Sequence, residues 1–269
     1  MDMVSVREYH SFMIGFLIKK NFFDFWDNLF RVCLINLGFL VSISFPIFVP
    51  QLFRAVPPLG FASMLVGILW CFVYLSAAAA SLRNISDYGS FGFAEFFGNL
   101  KKVWPTGLVA GGLVFLAFIL FTVVIPFYLN MESLLGLMLA AVIFWSLVTI
   151  VLALQFFFAV RFRLDDNPVG ALKKCFIIFF DNPMFCVFTL FHNLFILIVS
   201  GFLAFLAPGP AALLLFIDEG LRLRLLKYGW LEANPEADRR QIPWDALLID
   251  EREKTGDRSL RNFIFPWKD

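Results

Sequence analysis

The chain has 269 residues, 60% of them hydrophobic and 16% charged, with a formal net charge of +1 and a mean hydropathy of +0.81. A soluble domain is usually about 45–50% apolar and about 25% charged, so the composition excludes an ordinary water-soluble fold. The balanced charge offers no nucleic-acid partner, and Cys33, Cys71, Cys175 and Cys186 lack the paired spacing of a zinc or disulfide framework.

The first 28 residues have no cleavable signal: the short apolar run 11–18 leads into Lys19-Lys20. They read as an amphipathic helix on the membrane surface, with Phe22, Phe23, Phe25 and Trp26 as interfacial aromatics. Charge-free runs follow at 32–53, 55–82, 103–131, 133–160 and 182–217. Each meets the requirement of roughly 20 apolar residues for a spanning helix. The last is too long for one helix, and Pro208-Gly209-Pro210 divides it. The expected fold is therefore an all-α polytopic membrane bundle of six transmembrane helices over 29–231. Pro46, Pro50 and Pro126 fall near the outer ends of their spans.

Loop charges orient this bundle. Lys19, Lys20, Arg31, Arg83, Lys101, Lys102, Arg161, Arg163, Lys173, Lys174, Arg222, Arg224 and Lys227 fall on one side, Arg54 on the other. By the positive-inside rule both ends are cytoplasmic, in a cytoplasmic-type bilayer. Two cytoplasmic segments have helical patterning. Phe93, Phe96, Phe97, Leu100 and Trp104 form one stripe ending before Pro105, and Asn167-Pro168 can cap and start a helix that ends before Pro183. Both read as short interfacial helices, hinting at a duplicated unit of span, interfacial helix, span. Residues 232–269 form a charged cytoplasmic tail, whose apolar tip at 263–267 can fold back, bind a partner or stay unfolded.

Asn36-Leu37 followed by Ser44-Phe45-Pro46, the stretch from Glu95 to Lys102, the run from Gly170 to Lys174 leading to Asn182-Pro183, and a last span ending near Tyr228 together resemble the YesL-type family of bacterial membrane proteins of unknown function. The resemblance covers roughly residues 25–230 and does not extend to the charged tail. It implies a small helical membrane protein linked to carbohydrate uptake systems of the ATP-driven type. It supplies no catalytic residues.

Ionisable groups at membrane depth mark candidate sites. His192 lies about 13 Å into the fifth span, on one side with Thr189, Asn193 and Ser200. Asp218 and Glu219 lie about ten residues into the sixth, with Arg222 at the spacing of an intrahelical pair. His192, Asn193, Asp218, Glu219 and Arg222 are thus the candidates for a substrate or proton path, against the simpler reading of polar glue between helices. The sixth span is either a complete crossing or a half-helix whose cytoplasmic part begins at Asp218. Gly107 and Gly111 have G-x-x-x-G spacing and predict close helix packing, as does the small stretch 77–81. Asp165-Asp166 beside Asn167-Pro168 reads as a helix start rather than a metal pair. No enzyme motif, metal site or cofactor site is present. The expected partners are the lipid bilayer and either transporter subunits or a second copy. The expected function is a transport-related component, either a small carrier or an accessory. The alternative is a structural or regulatory scaffold acting through its cytoplasmic helices and tail.

Overall fold

The computed structural model describes residues 3–239 and 241–258, with side-chain packing from residue 13 onward. These residues form helices and loops and contain no strand. A long first helix, α1 (Met3–Asp27), leads through a turn at Asn28 into α2 (Leu29–Leu52). The chain returns in α3 (Pro57–Ser86) and turns again into α4 (Phe93–Ile119). A π-helical stretch, Leu120–Val124, links α4 to α5 (Ile125–Leu129). Then come α6 (Leu134–Leu154), α7 (Phe157–Arg163), α8 (Pro168–Asp181), α9 (Pro183–Phe202) and α10 (Gly209–Ala233). Two short tail helices follow, α11 (Trp244–Leu247) and α12 (Ile249–Thr255).

Five helical segments are long and apolar enough to cross a membrane: α2, α3, α4–α5, α6 and α9. Their outward faces are apolar, as at Phe48, Leu135, Trp145 and Phe195, each more than half exposed. Water would penalise such surfaces and lipid does not. The protein is a helical membrane protein.

Local chemistry explains most helix ends. Asn167 accepts from the Val169 amide at 3.0 Å with Pro168 in the first turn, and Ser133 accepts from the Gly136 amide at 3.1 Å. The π stretch precedes Pro126, which lacks the N–H that would close an α-turn onto Thr122. One expected boundary is absent. Instead of a separate interfacial helix over 91–104, α4 runs straight through Pro105. Contact with α3 outweighs the proline: Gly107 and Gly111 lie against Phe72, and the Ser76 hydroxyl donates to the Val103 carbonyl at 3.1 Å. A Cβ on Gly107 would sit 2.7 Å from the Phe72 carbonyl oxygen, so only glycine allows this approach.

Two buried cores share α10. Val32, Tyr74, Leu82 and Phe96 pack with Ala211 and Leu215 at its start. Met13, Leu17, Phe156, Phe185 and Trp244 pack with Phe216 and Leu223 further along. Thus α1 is not simply laid on a surface: Phe23 is buried with Met13 and Leu17, and Trp26 faces out. The tail also returns to the bundle, burying Ile242, Trp244 and Leu248; its apolar tip at 263–267 lies outside the described residues.

The start of α10 is fixed by Asn36. Its amide donates to the Leu206 and Pro208 carbonyls at 2.9 and 2.7 Å, and its oxygen accepts from the Ala211 amide at 2.9 Å. The Ser200 hydroxyl, near the end of α9, accepts from the Gly209 amide at 2.9 Å. The α9–α10 turn therefore sits beside the first third of α2. At 1.5 Å per residue, α2 continues about 24 Å beyond Asn36 to its far end. At the other end of the bundle, Arg258 holds Asp27, Lys19 donates to the Gly256 carbonyl, and Tyr88, just past α3, bonds to α12. The end of α1 and the described end of the tail therefore meet on one side.

Candidate functional site

Most polar chemistry gathers where α3, α7, α10 and the tail meet. Arg163, the last residue of α7, donates to both oxygens of Asp218 at 2.8 and 2.5 Å. It also reaches Asp87 at 3.0 Å and the Ser86 hydroxyl at 3.0 Å. A guanidinium fork matched to a carboxylate gives a strong, directional pair. The expected intrahelical pair between Asp218 and Arg222 is not formed. Asp218 is taken by α7, and Arg222 turns instead to Asp87 at 2.5 Å, the Ser86 carbonyl at 2.8 Å and Glu251 of the tail at 2.7 Å. Longer-range partners win because each joins two elements and leaves no lone charge buried.

Tyr88 ties this network to the tail. Its hydroxyl lies 2.9 Å from the Glu251 carboxylate and 3.1 Å from the Thr255 hydroxyl. Its ring faces Lys20 Nζ at 4.0 Å. Burial pushes the Tyr88 hydroxyl well above its ordinary pKa, with the Glu251 charge adding to the effect, so it stays protonated and donates.

A second group lies deeper. Lys20, fully buried, pairs with Asp24 and donates to the Ser86 carbonyl at 3.1 Å. Glu219, also fully buried, has Lys20 at 3.7 Å, and neither of its oxygens has a hydrogen-bond partner among the described residues. Asn21 and Asp24 are its other polar neighbours. A third group closes the far end of α10. Lys227 donates to Asp181 at 3.0 Å and to Asn182 at 3.1 Å, and the Tyr228 hydroxyl donates to Asp181 at 2.8 Å. Burial opposes ionisation of Asp181, but these donors outweigh it and hold its carboxyl below the usual range.

His192 and Asn193 do not join these groups. The His192 ring stacks on Phe216 with centroids 3.7 Å apart and planes at 14°. His192 Nδ1 and Asn193 Oδ1 have no hydrogen-bond partner among the described residues. Asp218 is two residues past Phe216 yet faces α7, so the five candidates divide among separate neighbours. One cavity of about 560 Å³ is lined by α6 and Phe176, and another of about 440 Å³ lies near Asn28 and Phe91; neither includes a candidate residue. Asp165 accepts from the Asn167 amide at 2.8 Å and pairs with Lys174 at 3.2 Å, which hold its carboxyl low. Asp166 turns to Arg161. Among the described residues no cluster of three potential metal ligands occurs.

Sequence reasoning missed Lys20, Asp24, Asp87, Tyr88, Arg163 and Glu251 as members of a site. It also missed Arg224, which is buried against the rings of Phe185 and Trp244 at 4.2 and 5.8 Å with two nitrogens unbonded. One signal was available: α10 carries five charges within ten residues, and each buried charge requires a partner. No family model, curated protein or solved structure matches the chain.

Proposed function

We propose that the protein is a membrane scaffold or regulatory component, an accessory to a larger membrane system, that works through the charged end of its bundle. The observation behind this is the closed network there: Asp218, Arg163, Asp87, Arg222 and Glu251 pair across α3, α7, α10 and the tail. A carrier must open its site to water on each cycle, and every opening would strand several of these charges. An accessory needs no path of its own. The YesL-type resemblance, with its link to carbohydrate uptake systems, agrees with that role, and the reading makes the protein a non-enzyme.

In this reading α2, α3, α4–α5 and α6 cross the membrane. In place of a fifth and sixth full crossing, α9 and α10 form a hairpin that turns beside Asn36. The turn amides of Leu203, Ala204, Phe205 and Leu206 all find carbonyls within 200–203, as backbone at membrane depth must. Both termini then share the basic side, which the positive-inside rule makes cytoplasmic. Cysteine at Ala204, in a chain with the four native cysteines replaced by serine, tests this. The hairpin leaves it unlabelled by a membrane-impermeant maleimide from either side, whereas external labelling would restore six crossings.

The carrier reading retains one support, the unbonded carboxylate of Glu219. Purified protein in liposomes with an internal pH dye, under an imposed potential, separates the two. The scaffold reading predicts proton flux equal to empty liposomes. Flux abolished by Glu219→Gln would overturn it.

A further inference from the structure

The cavity of about 440 Å³ lies between the α1–α2 turn and the start of α4, lined by Asp27, Asn28, Phe30, Arg31, Phe91 and Phe93, with Gly92 beside them. Its volume is within the range of small-ligand sites. Arg31 is the unusual group in it. Its guanidinium is held by Asn28 Oδ1 at 2.9 Å and has no carboxylate partner among the described residues. The carboxylate on the wall, Asp27, is already neutralised by Arg258, which donates to both its oxygens at 2.9 Å. The net charge at the cavity is therefore positive.

Depth and surroundings narrow the ligand. Phe30 and Arg31 open α2, Phe93 opens α4–α5, and both are candidate spans. The cavity thus sits where spanning helices emerge from lipid. Phe30 is 74% exposed and Phe93 49%, so two exposed rings line the cavity with Arg31 at the ends of candidate spans, where interfacial aromatics are found. The start of α4 also directs the positive end of its dipole to this region, whereas at α2 that effect is offset by the end of α1.

We propose that this cavity binds the phosphate of an anionic membrane lipid, with Arg31 holding the headgroup and Phe30 and Phe93 flanking the chains. A free phosphate would satisfy Arg31 equally well but would leave the rings without a partner. The proposal is independent of whether the protein is a scaffold or a carrier.

Delipidated full-length protein, titrated with phosphatidylglycerol, phosphatidylcholine or glycerol phosphate and read by native mass spectrometry, tests it. Phosphatidylglycerol is expected to bind best and glycerol phosphate not to bind. Arg31→Gln should weaken phosphatidylglycerol about fivefold, the effect of one basic group near an anionic surface. Arg31→Lys should retain most of the affinity, and Lys173→Gln, at an exposed position of α8, should change nothing. Should Arg31→Gln not fold, Phe93→Ser at the exposed rim is expected to weaken the lipid in its place. Equal affinity for the two lipids, or for wild type and the cavity variants, would overturn the proposal. Equal binding of glycerol phosphate would overturn the lipid assignment.

Discussion

Removing Arg163 tests the charged network most directly. Arg163→Met keeps the apolar stem of the side chain and leaves Asp218 without either of its hydrogen bonds. The Asp218 side chain is 6% exposed and that of Arg163 8%, so water cannot replace the lost donor. Breaking a buried ion pair from one side costs about 3–5 kcal/mol, because the remaining charge is stranded. Asp87 loses less, since it is 38% exposed and keeps Arg222. The expected loss is therefore about 3–5 kcal/mol, most of it from Asp218. Replacing both partners, in Arg163→Met with Asp218→Leu, removes the stranded charge and should recover much of that loss. Unfolding by SDS in mild micelles, followed by tryptophan fluorescence, supplies the free energies. A single variant destabilised by less than about 1 kcal/mol, the range of exposed pairs, would refute the reasoning. A double variant no more stable than Arg163→Met would refute it too.

Helix packing, the tail and acid stability give three further tests. Gly107→Leu should lose about 1–3 kcal/mol because α3 must yield, whereas Gly112→Ala, with open space around it, should gain up to about 1 kcal/mol; the same SDS titration reads both. Trp244→Ala empties a site only 1% exposed and should cost about 3–5 kcal/mol, seen as faster protease cleavage within the tail. Asp181 has a folded pKa below its unfolded value, so its stabilisation is present above about pH 4 and is lost as pH falls through the folded value. Asp181→Asn should therefore flatten the acid side of a stability–pH profile, and an unchanged profile would remove Asp181 from the acid transition.

Legibility followed the length scale of the signal. Hydropathy located α2, α3 and α6 because a spanning helix must be apolar over its whole length. Asn167-Pro168 located α8 because a cap and a fixed φ act on adjacent residues. Pro105 misled because its cost is local whereas the packing at Gly107 is tertiary. The pairings of Asp218 and Arg222 were illegible for a related reason. An i, i+4 spacing is visible in any sequence, but Arg163 lies 55 residues from Asp218 and Glu251 lies 29 from Arg222. Asn36 was visible only as part of a motif, and its bonds reach 170 residues and more along the chain.

The charged half of α10 accounts for the arrangement around it. Asp218, Glu219, Arg222, Arg224 and Lys227 cover about 240° of the helix at about 100° per residue, and the remaining arc, with Ile217, Leu221 and Leu225, packs into the core, so little of this half is left to meet lipid. Each charge must find a different neighbour. Asp218 finds α7, Glu219 finds α1, and Arg222 finds the end of α3 and the tail. Arg224 finds rings from α9 and the tail, and Lys227 finds the junction of α8 and α9. That requirement draws the first helix and the tail to one end of the bundle. It also explains why a tail rich in charge returns to the bundle and buries Trp244 and Leu248: without that return, Arg224 would lose Trp244 and Arg222 would lose Glu251. The tail completes the enclosure of α10 and is a structural part of the membrane domain rather than an appendage to it.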